Sequence, residues 1–210
     1  KWFPGVIDKG EGIFFSLDNE RLSKWENNNK LKERCEAIIG SYAYHAAPKD
    51  EKKQKEIMMR FNHRFLLLHT LSHLLIKALA KHAGYGEPSI QERIYWDNKD
   101  RNGILLYTSG SSEGSLGGLV RLGKSDEFER RLEEALDRSL TCSRDPICEQ
   151  SNPASMRHLS KTHQLSGSSC HSCCIVPETC CQFFNQFLDR WTIKDKSAGF
   201  FKDYLNEQAY

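Results

Sequence analysis

The sequence has no apolar run long enough to cross a membrane as a helix. Its longest apolar stretch, Phe65 to Ala80, is interrupted by His69, Ser72, His73 and Lys77, whereas a membrane-spanning helix needs about 20 predominantly apolar residues. Charged residues make up 28% of the 210 residues. We therefore expect a soluble, globular, cytoplasmic protein in which this stretch forms a buried helix.

A strong excess of charge is also missing. The formal net charge is +2, and acidic and basic residues are mixed along the chain. Sequence-independent binding to nucleic acid needs a concentrated basic face. Charge alone therefore indicates no nucleic-acid partner.

The chain also lacks the marks of a secreted precursor. It opens with "KWFPGV", which contains no initiator Met, no basic segment followed by an apolar one, and no cleavage site. We expect a fragment of a longer protein.

Cysteine, in contrast, is abundant and clustered. Seven of the eight cysteines lie between Cys142 and Cys181. The C-x-x-C segment "CHSC" is a knuckle of the kind that supplies two zinc ligands. The further candidates are a looser pair in "CSRDPIC" and the thiols of "PETCC". The pattern predicts a structural zinc site with ligands among Cys142, Cys148, Cys170, Cys173, Cys180 and Cys181.

The alternatives to a structural zinc are reduced core cysteines and an iron–sulfur cluster, although the multi-cysteine spacings of ferredoxins are absent. A catalytic zinc would need an open coordination position, which four thiolates do not leave. The thiols outnumber the corners of one tetrahedron, and Cys174, adjacent to Cys173, is the easiest to dismiss on geometry.

The hydrophobic periodicity predicts an α+β fold in which a long buried central helix packs with a small β-sheet and a C-terminal cysteine-rich zinc-binding subregion. Asp18 is the expected N-cap of a first helix, and "HAAPKDEKKQKE" is expected to be a charged linker. The expected elements are strands at 12–17, 89–96 and 103–108 and helices at 31–44, 57–82 and 126–140. The expected organisation is an N-terminal strand and helix segment (1–48), a central α/β core (49–141), a zinc-binding cysteine module (142–190) and a C-terminal tail helix (191–210).

The segment from Gly118 to Ser125 spells the phosphate-binding motif G-x-x-x-x-G-K-S. A working P-loop needs a strand that leads directly into the first glycine, but "SGSSEGSLG" intervenes after the strand that ends near Thr108. The four variable positions, "LVRL", favour a turn of helix, and no apolar run ending in Asp follows to hold magnesium. We predict that this segment binds no nucleotide.

Two histidines, His69 and His73, are four residues apart on the predicted central helix and so face the same side. Metalloproteases place a Glu between two such histidines as general base, but here the intervening residues are Thr, Leu and Ser. Core hydrogen bonding is the commoner role of such histidines. The rival hypothesis is a metal-stabilised hydrolase with His69, His73 and Glu113 around a polar cleft, which Glu92 and Arg93 would also line.

Several segments, taken in order from Gly10 to Arg190, resemble the DrmB-type proteins of the DISARM anti-phage system. They are "GEGIFFSLD", "LSKWE", "LLHTLSHLLIKALAKHAGYG", "SIQERIYW", "GILLYTSGSSEGSLGGLV", "CSRDPIC" and "CHSCCIVPETCCQFFNQFLDR". Three of these segments are also similar to the zinc-binding domain of MrfA-type DNA-repair helicases. They are the helix with the histidines, the glycine- and serine-rich segment 109–118 (the glycine turn) and the cysteine knuckle.

The resemblance implies a non-catalytic subunit without its own ATPase. Its partner would be a superfamily 2 helicase that engages DNA within the complex, with no membrane involved. It also implies that Cys181, rather than Cys180, is the ligand after "PET", with Cys142 or Cys148 completing a site that contains Cys170 and Cys173. A stand-alone DNA-binding module is the further alternative.

Overall fold

The computed structural model describes residues 9–97, 101–109, 116–153 and 165–207, together with Trp2 and Gly5. These residues form the predicted mixture of helices and one small sheet. The strands are β1 (Gly10–Phe15), β2 (Gln91–Trp96) and β3 (Asn102–Ser109). The α-helices are α1 (Asn19–Glu26), α2 (Asn29–Ala46), α3 (Glu51–Arg60), α4 (His63–Ala83), α5 (Gly118–Leu122), α6 (Ser125–Leu140), α7 (Trp191–Lys194) and α8 (Lys202–Glu207).

Helix α4 lies at the centre of the core, as predicted. Every residue from Arg64 to Leu79 is buried, so the helix has neighbours on all sides. The side chain of Asn62 caps its N-terminus by accepting a hydrogen bond from the backbone N–H of Phe65 at 2.9 Å. Gly84 ends it in the left-handed conformation, with φ of 78°.

The predicted linker at residues 45–56 and the predicted start of the long helix at Ile57 were both wrong. Residues 51–60 form α3, a helix in which no residue is buried. Phe61 is extended, and α4 begins after it. Lys, Glu and Gln favour helix even on an exposed segment, and Asp50 caps α3 through the N–H of Lys53. Asn62, as a new N-cap, separates the two helices.

The three strands form an antiparallel sheet in the order β1, β3, β2. One face of the sheet packs on α4. Alternate side chains of a strand point to opposite faces, so only every second residue of a strand faces the helix. In β2 the buried positions are Glu92 and Ile94, while Arg93 and Tyr95 are exposed. A carboxylate therefore lies on the inner face of the sheet, against α4.

Gly117 leads into α5, whose residues 119–122 are the variable positions of the P-loop spelling, and this confirms the predicted turn of helix. Gly117 has φ of 125°, a backbone conformation that other residues rarely adopt. A Cβ on Gly118 would lie 2.1 Å from the carbonyl oxygen of Ala83. Glycine at 118 therefore allows α5 to approach the end of α4.

The C-terminal segment packs against α4 and α6 through α7. It forms two short helices, α7 and α8, where one tail helix was expected. Asp189 receives a bidentate ion pair from Arg34 of α2, at 2.6 and 2.9 Å. Among the described residues, no helix combines the length and hydropathy of a membrane span.

Candidate metal centre

Four cysteines from two separate loops meet beside the C-terminal end of α6. The first loop, after α6, carries Cys142 and Cys148; its turn is held by the carboxylate of Asp145, which accepts from the N–H of Cys142 at 2.8 Å. The second loop is the predicted knuckle, in which the N–H of Cys173 donates to the carbonyl of Cys170 at 3.1 Å. Each loop therefore presents two thiols to the other.

The sulfur atoms of these cysteines have the spacing of a metal site. The Sγ of Cys170 lies 3.3 Å from that of Cys142 and 3.7 Å from that of Cys173, and Cys148 lies 3.8 Å from Cys173. A tetrahedral zinc with Zn–S bonds of about 2.3 Å separates its sulfur ligands by roughly 3.8 Å. All eight cysteines are free thiols, so the four can act as thiolates around one ion.

The surroundings favour loss of a proton at one thiol of the cluster, Cys170, whereas the pKa values of Cys142, Cys148 and Cys173 are raised. Burial raises the pKa of Cys170, but hydrogen bonds from the thiol of Cys142 and the backbone N–H groups of Cys173 and Ser172 outweigh it and lower the pKa to about 7. Zinc binds the thiolate form, and Cys170 is the thiol of the cluster whose pKa favours that form.

A buried arginine supports the cluster from behind. Arg190 donates to the carboxylate of Asp145 at 2.7 Å and contacts the Sγ of Cys148 at 3.5 Å. Four thiolates carry more negative charge than one zinc ion neutralises, so a guanidinium here lowers the electrostatic cost of the site.

The structure separates Cys181 from the other predicted ligands and places it beside His69, His73 and Glu92. Cys174 is buried outside both groups, as is Cys180, whose thiol donates to the carbonyl of Glu87. Sequence spacing could not distinguish these positions, because grouping the thiols depends on how the segment after the knuckle folds over α4.

The histidine pair lies in the core. His69 and His73 are both fully buried, and Glu92 of β2 contacts both of their rings. Glu113, the third member of the predicted hydrolytic group, lies outside the described residues. Of the two other residues expected to line a cleft, Glu92 is buried and Arg93 is exposed on the opposite face of β2.

Comparison with known proteins agrees with this architecture. Residues 71–174 match the family described as the MrfA Zn-binding domain, a range that includes all four clustered cysteines but neither His69 nor Cys181. This part of the chain is thus similar to zinc-binding domains of the MrfA type, and the predicted structural zinc is confirmed by this match together with the four-cysteine cluster.

Over a longer range, the chain is 39% identical to "DISARM protein DrmB" of Bacillus paralicheniformis. The alignment covers 97% of this chain and 36% of that relative, so the chain spans about a third of the length of the DrmB protein it matches. The predicted resemblance to DrmB-type proteins is confirmed.

Proposed function

We propose that this chain is a non-catalytic, zinc-stabilised accessory domain that associates with a superfamily 2 helicase in DNA-targeting, DISARM-like anti-phage defence. The observation that carries the proposal is the similarity to a DISARM DrmB protein along nearly the whole chain. The free thiols fit a reducing compartment, which supports a cytoplasmic location.

The proposal that the chain has no ATPase activity of its own is supported by the hydrogen bonds of the backbone amides at the start of α5. The amides that begin α5 donate to the carboxylate of Glu11: Gly117 at 2.8 Å, Leu119 at 2.9 Å and Val120 at 3.2 Å. A P-loop needs such amides for phosphate. Here the chain's own carboxylate holds them.

The hydrolase alternative loses support because its two histidines are enclosed. A hydrolytic base must reach substrate or water, and His69 and His73 have no exposed surface.

Three basic residues of α5 and α6 are engaged within the fold. Arg121 donates to the carbonyl of His82, Arg130 pairs with Glu127, and Arg131 pairs with Glu134. Such local pairs are typical of an ordinary solvated helix face and do not indicate DNA contact at these positions.

A groove beside the sheet offers another surface for nucleic acid. It combines three exposed arginines, of which Arg101 pairs with Asp97, with aromatic rings, a combination that suits phosphate and base stacking. Its lining comprises Arg60, Arg93, Ile94, Tyr95, Trp96, Arg101, Gln182 and Phe183. Three cations give weak binding alone, so we place DNA contact here only within the helicase complex.

The test is copurification of the tagged chain with the superfamily 2 helicase encoded beside it, with and without DNA. We expect a stable complex with the helicase and weak, salt-sensitive DNA binding by the chain alone. Tight DNA binding without helicase association would favour the stand-alone DNA-binding module instead.

The groove is tested within that complex by comparing Arg93→Ala with Arg130→Ala. Each lost phosphate contact reduces the slope of log K against log salt by about 1. We expect this change for Arg93→Ala and none for Arg130→Ala. Equal slopes for both variants would remove the groove from the proposal.

A further inference from the structure

A second group of potential metal ligands lies under the sheet, away from the four-cysteine cluster. It consists of His69 and His73 on α4, Glu92 on β2 and Cys181 after the 3-10 turn Glu178–Cys180. All four are buried, and one ligand atom from each lies within 4.8 Å of the other three.

The distances within this group fit the edges of a small tetrahedron. The Nε2 atom of His69 lies 3.0 Å from Oε1 of Glu92 and 3.2 Å from Sγ of Cys181, and Nε2 of His73 lies 3.4 Å from the same Oε1. Zinc bonds of about 2.0–2.3 Å to nitrogen, oxygen and sulfur separate tetrahedral ligands by roughly 3.3–3.6 Å.

In three of these side chains the remaining polar atoms are held by partners that orient them, whereas Nδ1 of His69 is buried without a hydrogen-bond partner. Nδ1 of His73 donates to the carbonyl of Cys174 at 3.0 Å, which directs the lone pair of Nε2 inward. The second carboxylate oxygen of Glu92 accepts from the hydroxyl of Ser72. The Sγ of Cys181 accepts from the N–H groups of Phe183 and Asn185, both at 3.3 Å.

Two of the four inward atoms, in contrast, are left unsatisfied. Nε2 of His73 and Oε1 of Glu92 are buried without a hydrogen-bond partner of proper geometry. The rings of Phe65 and Phe183 lie against that of His69, at 5.3 and 5.4 Å between centroids, and exclude water on that side. Buried polar atoms without partners are costly, and a cation bound by all four side chains would satisfy them together.

We infer that His69, His73, Glu92 and Cys181 bind a second zinc ion, distinct from the one in the four-cysteine cluster. Imidazole, carboxylate and thiolate are all zinc ligands, and four protein ligands in a buried tetrahedron define a closed, structural site. The ion would tie α4 and β2 to the segment that follows the cysteine knuckle. The inference does not depend on the helicase association proposed above.

The decisive measurement is the zinc content and zinc coordination of the unaltered chain. We expect two zinc ions per folded chain by elemental analysis. X-ray absorption should show an average of about 2.5 sulfur ligands per zinc, because the two candidate groups contain five cysteines in eight ligands. One zinc per chain with an all-sulfur environment would overturn the inference.

A matched pair of variants assigns the second ion to its site. Cys181→Ala should reduce the content from two zinc ions to one and raise the sulfur average towards four. Cys180→Ala removes the adjacent buried thiol, which lies outside the group, and should keep both ions. Retention of two zinc ions by folded Cys181→Ala would contradict the assignment, and if that variant does not fold, the coordination of the unaltered chain still decides.

Discussion

The carboxylate of Glu11, in the first strand, accepts a hydrogen bond from the backbone N–H of Leu119, 108 residues later, at 2.9 Å. The hydroxyl of Tyr85 donates to the same carboxylate at 2.5 Å. One acidic side chain thus joins β1, the end of α4 and the start of α5.

Replacing Glu11 by Gln should destabilise the protein by about 1–3 kcal/mol, because hydrogen bonds to a charged acceptor are among the stronger ones. Denaturant unfolding measures the loss. Tyr85→Phe removes a single donor and should cost about 0.5–1.5 kcal/mol. A Glu11→Gln variant as stable as the unaltered chain would show that the carboxylate does not hold the turn.

The contribution of Glu11 should also depend on pH. Burial raises the pKa of Glu11, but hydrogen bonds from Tyr85 and from the amides of α5 outweigh it, so its pKa is lower folded than unfolded. The stabilisation is then complete above the unfolded pKa of about 4.3 and is lost as pH falls through the folded pKa. The stability difference between the unaltered chain and Glu11→Gln should shrink on acidification in that window.

Gly118→Ala should destabilise the fold by about 1–3 kcal/mol, because the added Cβ would overlap the carbonyl oxygen of Ala83. The matched control is Gly40→Ala in α2, where a Cβ meets nothing within 4 Å and helix propensity predicts a gain of about 0.5–1 kcal/mol. Thermal unfolding of both variants should move in opposite directions.

Lys124→Ala should leave stability and helicase association unchanged, since Lys124 precedes α6 and the amides at the start of α5 donate to Glu11. The measurement is the melting temperature with and without magnesium and ATP. A nucleotide-dependent increase that disappears in Lys124→Ala would restore the P-loop interpretation.

Cys173→Ser should release the zinc of the four-cysteine cluster and leave the chain unfolded or insoluble. Binding energies of structural zinc sites are on the order of 10 kcal/mol, comparable with the whole stability of a domain. Cys174→Ala, at the adjacent buried thiol outside the cluster, should remain folded with its zinc. Zinc content and circular dichroism distinguish the two, and folded, zinc-free Cys173→Ser would mean that the metal is dispensable.

Arg190→Met should destabilise the protein by about 3 kcal/mol and accelerate loss of zinc to a chelator. The arginine is buried while Asp145 is partly exposed, which places the effect at the lower end of the range for a broken buried ion pair. Arg130→Met, at an exposed pair on α6, should change stability by less than about 0.5 kcal/mol. Equal effects would mean that Arg190 contributes only apolar contact.

Local features of the fold were predictable because their causes are local. Asp18 caps α1 as expected, and the left-handed Gly84 ends α4. The exposed helix α3 was missed because its charged composition resembles that of a linker. Its cap, Asp50, was the available signal.

The sites were only partly predictable. Spacing identified the knuckle at Cys170 and Cys173, but which thiols join it depends on long-range folding, and Cys181 joins His69 instead. A signal for Glu92 was present in the sequence. It lies two residues from both Ile90 and Ile94 and so shares their face of a strand, which means that a strand that buries the isoleucines also buries the carboxylate.

The Sγ atoms of Cys148 and Cys173 lie 3.8 Å apart although 25 positions of sequence separate the two residues. The metal cluster therefore closes a loop in the chain. The entropy of closing a loop grows slowly, by about 0.6 kcal/mol for each doubling of its length. Once thiolates and metal join the two ends, additional residues between them cost little.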